Sequence, residues 1–560
     1  MALGARLRAL LSRSSEPRTV ISMHRERQVA VLSIVLFLLI GLPLWWTTTR
    51  VYRASLPADA IRRFAPSDTL RLPLVFHVDA ETPLSAVDAR EVEQGAQSLA
   101  DAQRAHYAPG EWRVRCQPVV RAGAAPDAPG HYTLRLRADA AASGVAVGPD
   151  RSADVTVAHS ASARDVLAEA IAEIVAGEER RVRGLGAHAA LKYAPEYAVT
   201  LTLLNEDPVD GAVVDWDIES ALAAYMQPLV RAMQPLTKLA LSSQVLFHAG
   251  PPPVAPLKAG NLTYLTPEML SHFANSPSWN LASVDPISPT LNFVLYAPAL
   301  ASQPLRIMDE RQADRASRKS TNTPLPGADA FLVSQWGGVA IANLPKSTRP
   351  GDTVVLSQAA MQRYMGLVIA QLRQHLGVRS DVPLAPRQTR AASQKSDGSP
   401  SWVLVAQATD TGLSGWEFDA LMRQWLVANR QTAITTLQSL MRLVDSLQNM
   451  VVMDEIKDQV DKSLRALHAI DEALGSTAAP RLGYLDAFAS AASASGLAEA
   501  AFFDPTMVSM LYFPDQHKLA IYMPYFLPVT IPLLAAIKKI FTERRRAAAA
   551  DADATSKKSD

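Results

Sequence analysis

The stretch YAVTLTLLN (197–205) decides the fold class, because β-branched and leucine side chains dominate it and it carries no charge. Such a run is typical of a buried β-strand. Comparable runs lie on both sides of it, among them LRLPLVFHV (70–78) and LNFVLYAP (291–298), and helical stretches such as 163–176 lie between them. This mixture of strands and helices predicts an α/β domain with a mixed sheet.

One segment between these strands, residues 215–239, has apolar side chains at helical spacing and contains Pro228 and Pro235. A proline inside a helix removes an amide donor and clashes with the preceding turn. The sequence therefore predicts a helix over 215–239 with a kink or a break.

The chain becomes mainly helical from residue 402 to residue 501. Apolar residues recur at helical spacing over 415–474, and Asp454 follows a break in the pattern, where an aspartate can cap a new helix. A third helical stretch covers 485–501. We expect a C-terminal helical segment that packs on the sheet or on another protein.

Two uncharged runs differ from the rest of the chain: VAVLSIVLFLLIGLPLWW (29–46) and LAIYMPYFLPVTIPLLAAI (519–537). A helix of about 20 apolar residues spans a bilayer core of about 30 Å. Both runs are therefore predicted to be transmembrane helices. The first is expected to be an uncleaved anchor, because bulky tryptophans occupy the place of the small residues of a signal-peptide cleavage site.

The charges of the two tails predict the orientation. Residues 1–28 hold six arginines and two glutamates, a net +4, and residues 538–560 hold seven basic and four acidic residues, a net +3. Positive flanks stay cytosolic. We therefore expect a cytosolic tail (1–28), a first span (29–46), a lumenal α/β domain (47–518), a second span (519–537) and a cytosolic tail (538–560).

Two short signals predict the endoplasmic reticulum (ER) membrane. Lys557 and Lys558 form a dilysine pair at the fourth and third positions from the C-terminus, which resembles a receptor-read ER-retrieval signal. Asn261 lies in the one N-glycosylation sequon of the chain. The sequon falls in the part assigned to the lumen, so the two signals agree.

Three prolines recur every four residues in the second apolar run, which places them along one helix face: Pro524, Pro528 and Pro532. Each removes a donor, so the carbonyls four residues earlier lose their partners inside the bilayer. Thr530 or a local shift of the backbone would satisfy these carbonyls. Alternatively, this face meets a polytopic partner within the membrane.

The composition excludes several classes of site. The single cysteine, Cys116, rules out an internal disulfide, a four-cysteine zinc site and a redox CxxC motif. The 55 basic and 54 acidic residues argue against a nucleic-acid binder. The sequence shows no HExxH, GxSxG, Walker or GxGxxG motif in a suitable context. We therefore expect no catalytic, cofactor or metal site, and an inert Cys116.

Two other motifs have a structural and a functional interpretation. The carboxylates of DWDIE (215–219) lie at the first turn of the predicted helix or bind a metal. Residues 336–338, a tryptophan followed by two glycines, form a tight turn or a substrate platform. The structural interpretation is preferred for both.

Several blocks carry a family resemblance, in the same order along the chain: GLPLWWTTTRVYRASLP (41–57), YAVTLTLLNEDP (197–208), DWDIESAL (215–222), LNFVLYAP (291–298), QWGGVAI (335–341) and AFFDPTMVSMLYFPDQHKLAIYMPYFLPVTIP (501–532). Together they resemble the PIG-S family of glycosylphosphatidylinositol (GPI) transamidase subunits. The resemblance runs from about residue 41 to residue 541 and is weak over 80–190.

The resemblance implies a non-catalytic scaffold subunit of the ER enzyme that joins GPI to the C-termini of precursor proteins. The nucleophilic cysteine then belongs to a separate caspase-like subunit, and PIG-T, PIG-U and a GAA-type subunit are further partners. Two alternatives stay open: a lumenal enzyme that handles glycolipid, and a free-standing membrane chaperone for precursor proteins.

Overall fold

A computed structural model provides the fold. The structure describes residues 20–49, 52–64, 69–80, 89–104, 114–123, 125–139, 144–158, 162–183, 191–209, 211–248, 255–259, 262–270, 272, 279, 288–317, 327–345, 347–378, 411–447, 450–476, 479–480, 483–509 and 515–556. The chain divides into two compact units. One comprises Met1–Ala58, Leu437–Asp461 and Glu499–Asp560, and the other comprises Asp59–Thr436 and Lys462–Ala498.

The second unit begins with a short helix, α2 (Ala58–Arg63), and a five-stranded sheet. Its elements are β1 (Leu70–Ala80), α3 (Ala89–Arg104), β2 (Val114–Ala122), β3 (His131–Asp139), β4 (Gly144–Val147), β5 (Ser152–Ala158) and α4 (Ala163–Arg183). The strand order is β2-β1-β3-β5-β4, in which only β4 runs antiparallel. Helices α3 and α4 pack against each other and on β2. Alternate residues of β2 are buried, because only one of its faces lies on the core.

A second five-stranded sheet has the order β13-β14-β11-β6-β8. Its strands are β6 (Glu196–Asn205), β8 (Lys238–Phe247), β11 (Thr290–Ala297), β13 (Ala330–Val333) and β14 (Gly337–Ile341). All are parallel except β13. The central strand β6 is buried at every position after its first, as its uncharged sequence predicts.

Smaller elements complete the sheet region. A parallel pair joins β7 (Val213–Trp216) to β15 (Thr353–Leu356), and a three-stranded sheet has the order β12-β10-β9. The remaining elements are α5 (Ile218–Ala221), a π-helical turn (Leu222–Met226), α6 (Gln227–Met233), β9 (Leu257–Ala259), β10 (Leu262–Leu265), β12 (Leu305–Ile307), α7 (Glu310–Ser317) and α8 (Gln358–Leu376). Helix α8 packs on β14 and ends at Gly377, whose φ of 82° is the left-handed conformation that favours glycine.

The C-terminal part is helical apart from a two-residue hairpin. It comprises α9 (Gly415–Ser446), α10 (Asp454–Leu474), β16 (Gly475–Ser476), β17 (Ala479–Pro480), α11 (Tyr484–Phe502), α12 (Pro505–Ser509) and α13 (Asp515–Ser556). Helix α10 begins at Asp454, the residue at which the sequence predicts a new helix. The α/β class, the mixed sheet and the C-terminal helical segment are confirmed.

The predicted helix over 215–239 is wrong at both ends. Residues 213–216 form β7, and β8 already begins at Lys238. The predicted break is present as the π-helical turn, which ends just before Pro228 at the start of α6. A π turn shifts the hydrogen-bond pattern by one residue, so the missing amide of Pro228 falls where a new helix starts.

The first unit contains the two apolar runs. The first lies in α1 (Val20–Thr49), whose apolar part, Val29–Trp45, is short for a span. In α13, the segment Ala520–Arg546 is long and apolar enough to cross a membrane. Its side chains are mostly exposed. Length and composition thus support one membrane helix among the described residues, and the first span and both domain limits stay predictions.

Candidate functional site

The predicted site residues divide into those that the structure describes and those that it does not. Asn261, Lys557 and Lys558 lie outside the described residues. The three prolines at positions 524, 528 and 532 lie within α13, which remains helical throughout.

Helix α13 has a seam that packs against α1. The Trp45 ring lies 5.3 Å from the ring of Tyr522 and 5.5 Å from that of Phe526, both in edge-on contacts. Two turns after Phe526, Leu533 is buried. These residues repeat at intervals of four and seven, which is the spacing of one helix face. Helices α1 and α13 therefore pack against each other as a pair.

The three prolines lie away from this seam and are exposed. At about 100° per residue, Pro524 and Pro528 fall on the side of α13 opposite to Tyr522 and Phe526. The Thr530 hydroxyl donates to the Phe526 carbonyl at 2.6 Å rather than to a carbonyl freed by proline. The proline face is thus the part of α13 that α1 leaves uncovered.

The chain that leaves α1 is held to the start of α10 within the same unit. The amide of Ala54 donates to the Val452 carbonyl at 2.8 Å, and the Tyr52 hydroxyl donates to both carboxylate oxygens of Asp454 at 2.9 and 3.0 Å. The Arg53 guanidinium donates to the Val444 carbonyl. Three residues of the block 41–57 thus fix the chain where it leaves the apolar helix.

The single cysteine lies inside the other unit and is fully buried. Its amide donates to Glu179 Oε1 at 2.9 Å, and Arg104 donates to the Cys116 carbonyl at 2.9 Å and to Glu179 at 2.5 Å. Burial, and then the charge of Glu179, raise the pKa of the Cys116 thiol well above its usual value. Because the thiolate is the nucleophile, this cysteine is unsuited to attack a substrate.

A second buried carboxylate, Glu178, links α4 to α9. The Arg423 guanidinium, which is 0% exposed, donates to Glu178 Oε2 at 2.7 and 3.2 Å and to the Tyr132 hydroxyl at 2.6 Å. Burial alone would lower the pKa of Arg423, but its interactions with Glu178, Tyr132, Tyr484 and Asp419 together outweigh burial and raise that pKa. The ring of Trp416 stacks on Tyr132 at 4.1 Å.

One turn earlier in α9, Asp419 holds the amino ends of two strands. It is 0% exposed, accepts from the Gly130 amide at 3.0 Å just before β3, and forms a two-pronged pair with Arg151 just before β5. The Tyr484 hydroxyl at the start of α11 donates to the Pro73 carbonyl in β1 at 2.7 Å. Buried charges therefore dock the helical segment on the first sheet.

The second sheet has a topological switch point between β6 and β11, where parallel sheets commonly bind ligands beyond the carboxyl ends of their strands. Here Glu206 follows β6 and accepts from the Tyr296 hydroxyl and from the Ala299 amide, both at 2.7 Å. The side-chain oxygen Oε1 of Gln303 accepts from the Leu344 amide at 2.7 Å. Glu206 and Gln303 thus bind the protein's own strand ends and loops at this position.

The two ambiguous motifs take structural positions. Glu219 lies in the first turn of α5, and Asp215 accepts a bond from the Trp216 amide. Gly337, with φ 143°, approaches the Asn292 backbone so closely that an added Cβ would lie 1.8 Å from its carbonyl oxygen. Within the described part of the chain, no group of three metal-binding side chains is present.

Sequence reasoning missed the buried ion pairs. The run EERRVR (178–183) looks like a solvated helix end, but its first two carboxylates are buried against arginines from distant segments. The sequence offered one indication that these carboxylates are buried, which is that the run continues the apolar helix α4. The arrangement can fix helices on a sheet.

Comparison with known proteins identifies one family. The family described as phosphatidylinositol-glycan biosynthesis class S protein, PIG-S, matches residues 32–547. A human relative, GPI-anchor transamidase component PIGS, is 30% identical over 94% of this chain and 97% of its own length. The Bos taurus relative of the same name is 29% identical with the same coverage. The fission yeast relative, named GPI transamidase component PIG-S homolog, is 24% identical over 93% of this chain. On these matches, the chain belongs to the PIG-S family.

Proposed function

We propose that this chain is a non-catalytic scaffold subunit of the GPI transamidase complex, which attaches GPI to the C-termini of precursor proteins. The observation that carries the proposal is family membership over nearly the whole chain. Relatives named as transamidase components match 94% of it and are themselves covered to 97%. A component role therefore applies to the chain as a whole rather than to one domain.

The scaffold role is supported by the chemistry of the buried groups. The thiol of Cys116 is fully buried with a raised pKa, and the buried pairs of Glu178, Glu179 and Asp419 hold helices and strands together. On this proposal the nucleophile belongs to a caspase-like partner, and PIG-T, PIG-U and a GAA-type subunit complete the assembly.

The proposed location is the ER membrane with two spans and both termini in the cytosol. A GPI transamidase subunit belongs in the ER, and α13 supplies one helix of sufficient length. The contact of Trp45 with Tyr522 and Phe526 supports a second span, because it pairs α1 with α13 side by side. The basic tails favour the cytosolic side for both ends.

The exposed proline face of α13 is proposed to contact a polytopic subunit within the membrane. The seam with α1 lies on the other side of the helix, so this face is open to a neighbour. Partner side chains or trapped water would satisfy the carbonyls of Ala520, Pro524 and Pro528, which lose their helical donors.

The decisive experiment purifies the tagged full-length chain in mild detergent and identifies the proteins that accompany it. We expect the other transamidase subunits in fixed ratio, and GPI attachment to fail when the chain is depleted. Recovery of the chain alone, with attachment unaffected by its depletion, would contradict the proposal.

The topology is tested separately in sealed microsomes. Protease should remove only the two tails, and Asn261→Gln should increase gel mobility by one glycan. Protection of either terminus, or digestion of the central domain, would contradict the two-span arrangement.

A further inference from the structure

The strand β8 forms one edge of the second sheet and is unusual among the sheet edges that the structure describes. It is ten residues long and pairs with β6 alone. The opposite edge, β13, has four residues, as has β4 in the first sheet. Long open edges invite pairing with other chains, and proteins usually shorten, charge or interrupt them.

The remaining edge of the five-stranded sheets, β2, is long but protected. It has nine residues and carries Pro118 in its middle, with Arg115 and Arg121 near its ends. Proline and charge both oppose strand addition. In β8 the only charged residue is Lys238 at its beginning, and the other nine residues, LALSSQVLF, include no proline.

The hydrogen bonds identify which backbone groups of β8 face outward. The Lys238 amide donates to the Pro195 carbonyl at 2.9 Å, on the β6 side. Because amides alternate in direction along a strand, those of Ala240, Ser242 and Gln244 also face β6. The outward-facing amides are those of the odd-numbered residues: Leu239, Leu241, Ser243, Val245 and Phe247.

Side-chain contacts agree with an open edge. Ser242 and Gln244 bond to Thr200 and Thr202 of β6. Phe247 is 48% exposed. Within the described ranges, no hydrogen bond reaches the backbone of residues 239–247 from any element other than β6.

We propose that the outer edge of β8 binds an extended segment of another transamidase subunit by strand addition. This inference rests on the proposed function and names the surface through which it acts. A subunit with a long uncharged edge needs a cover to avoid aggregation, and in a complex that cover is a neighbouring subunit. The segment of the partner subunit is expected to be extended and uncharged. It should have no proline at the positions whose amides face β8, because main-chain hydrogen bonds supply most of the contact.

The first test is amide hydrogen exchange, resolved to single residues, on the full chain alone and on the purified complex. We expect the amides of Leu241, Ser243 and Val245 to exchange at least about tenfold more slowly in the complex. The amides of Ser242 and Gln244, bonded to β6, should be protected in both samples and serve as the internal control. Equal exchange of the outward amides in an intact complex would overturn the inference and leave the proposed function standing.

The second test is Ser243→Pro, compared with Ser243→Ala. The proline removes an outward amide without removing a bond to β6. We expect the Ser243→Pro chain to keep its melting temperature and to lose at least about tenfold of the co-purified subunits, while Ser243→Ala retains them. Ser242→Pro, which breaks the bond to β6, should lower the melting temperature.

Two further outcomes would overturn the proposal. Full retention of every subunit by a folded Ser243→Pro chain would exclude β8 as the contact. If the outward amides of β8 already exchange slowly in the purified chain alone, and that chain has the mass of a dimer, the edge of β8 pairs with a second copy of this chain. If Ser243→Pro fails to fold, the exchange measurement on the unmodified chain still decides.

Discussion

Removal of the Arg423 side chain should strongly destabilise the unit that contains the sheets. In Arg423→Met, Glu178 keeps its place with 2% of its side chain exposed, but it loses both bonds from Arg423, at 2.7 and 3.2 Å. Tyr132 loses its donor at 2.6 Å. Arg181, whose nearest nitrogen lies 3.5 Å from Glu178, is the remaining counter-charge.

Breaking a buried pair by removing one partner costs about 3–5 kcal/mol. Glu178 would keep only the more distant Arg181, so most of the compensation of its buried charge would be lost. At about 2 °C per kcal/mol for a large domain, the melting temperature should fall by about 6–10 °C. The double variant Arg423→Met with Glu178→Gln should recover most of this loss, because it removes both charges.

Tryptophan fluorescence during heating of the detergent-purified chain is the suitable assay, because Trp416 stacks on Tyr132 beside the pair. Arg442→Met, on an exposed part of the same helix, is the matched control and should change little. A fall below about 2 °C for Arg423→Met, or a double variant less stable than the single one, would refute the argument from burial.

Three further predictions concern other groups. Cys116→Ala should leave GPI attachment intact, at a stability cost under about 1.5 kcal/mol, and a folded, assembled variant without attachment would contradict the non-catalytic proposal. Burial lowers the pKa of His77 and of His131, whose ring nitrogens lie 3.0 Å apart. The folded state thus favours the neutral rings, so stability should be complete above about pH 6.5 and fall as the pH drops below it. His131→Asn should reduce this dependence, as measured by melting at pH 7.5 and 5.5, and an unchanged slope would exclude the pair. Replacing the prolines at positions 524, 528 and 532 together by leucine should preserve membrane insertion and the folded unit but reduce co-purification of the polytopic subunits. Full retention of those subunits would mean that the prolines only kink the helix.

The sequence predicted the central strands well because burial on both faces requires continuous apolar runs. Residues 197–205 and 291–298 match β6 and β11 to within one residue at each end. Short strands were harder to predict. Four residues at 213–216 form β7 through pairing with β15, which lies about 140 residues later in the chain, and local propensity carries no such information.

The contacts between elements could not be predicted. Glu178 lies in a run of acidic and basic residues that suits a solvent-exposed helix end, and its partner Arg423 lies 245 residues away. The inert Cys116 stays a prediction; its burial and the carboxylate of Glu179 beside it, which both raise the pKa of the thiol, arise from the packing of α4 on β2. The open edge of β8 likewise depends on strand order, which periodicity does not reveal.

Helix α13 is longer than a bilayer core is thick. Its 42 residues make a rod of about 63 Å, whereas a bilayer core is about 30 Å thick. On the proposed topology, in which residues 519–537 span the membrane, residues 538–556 continue as a helix for about 28 Å beyond it. On the same topology, the proposed retrieval signal at Lys557 and Lys558 follows this helical extension, so that its receptor would bind well away from the lipid surface. Shortening this extension by whole turns would bring the dilysine pair toward the bilayer about 5.4 Å at a time.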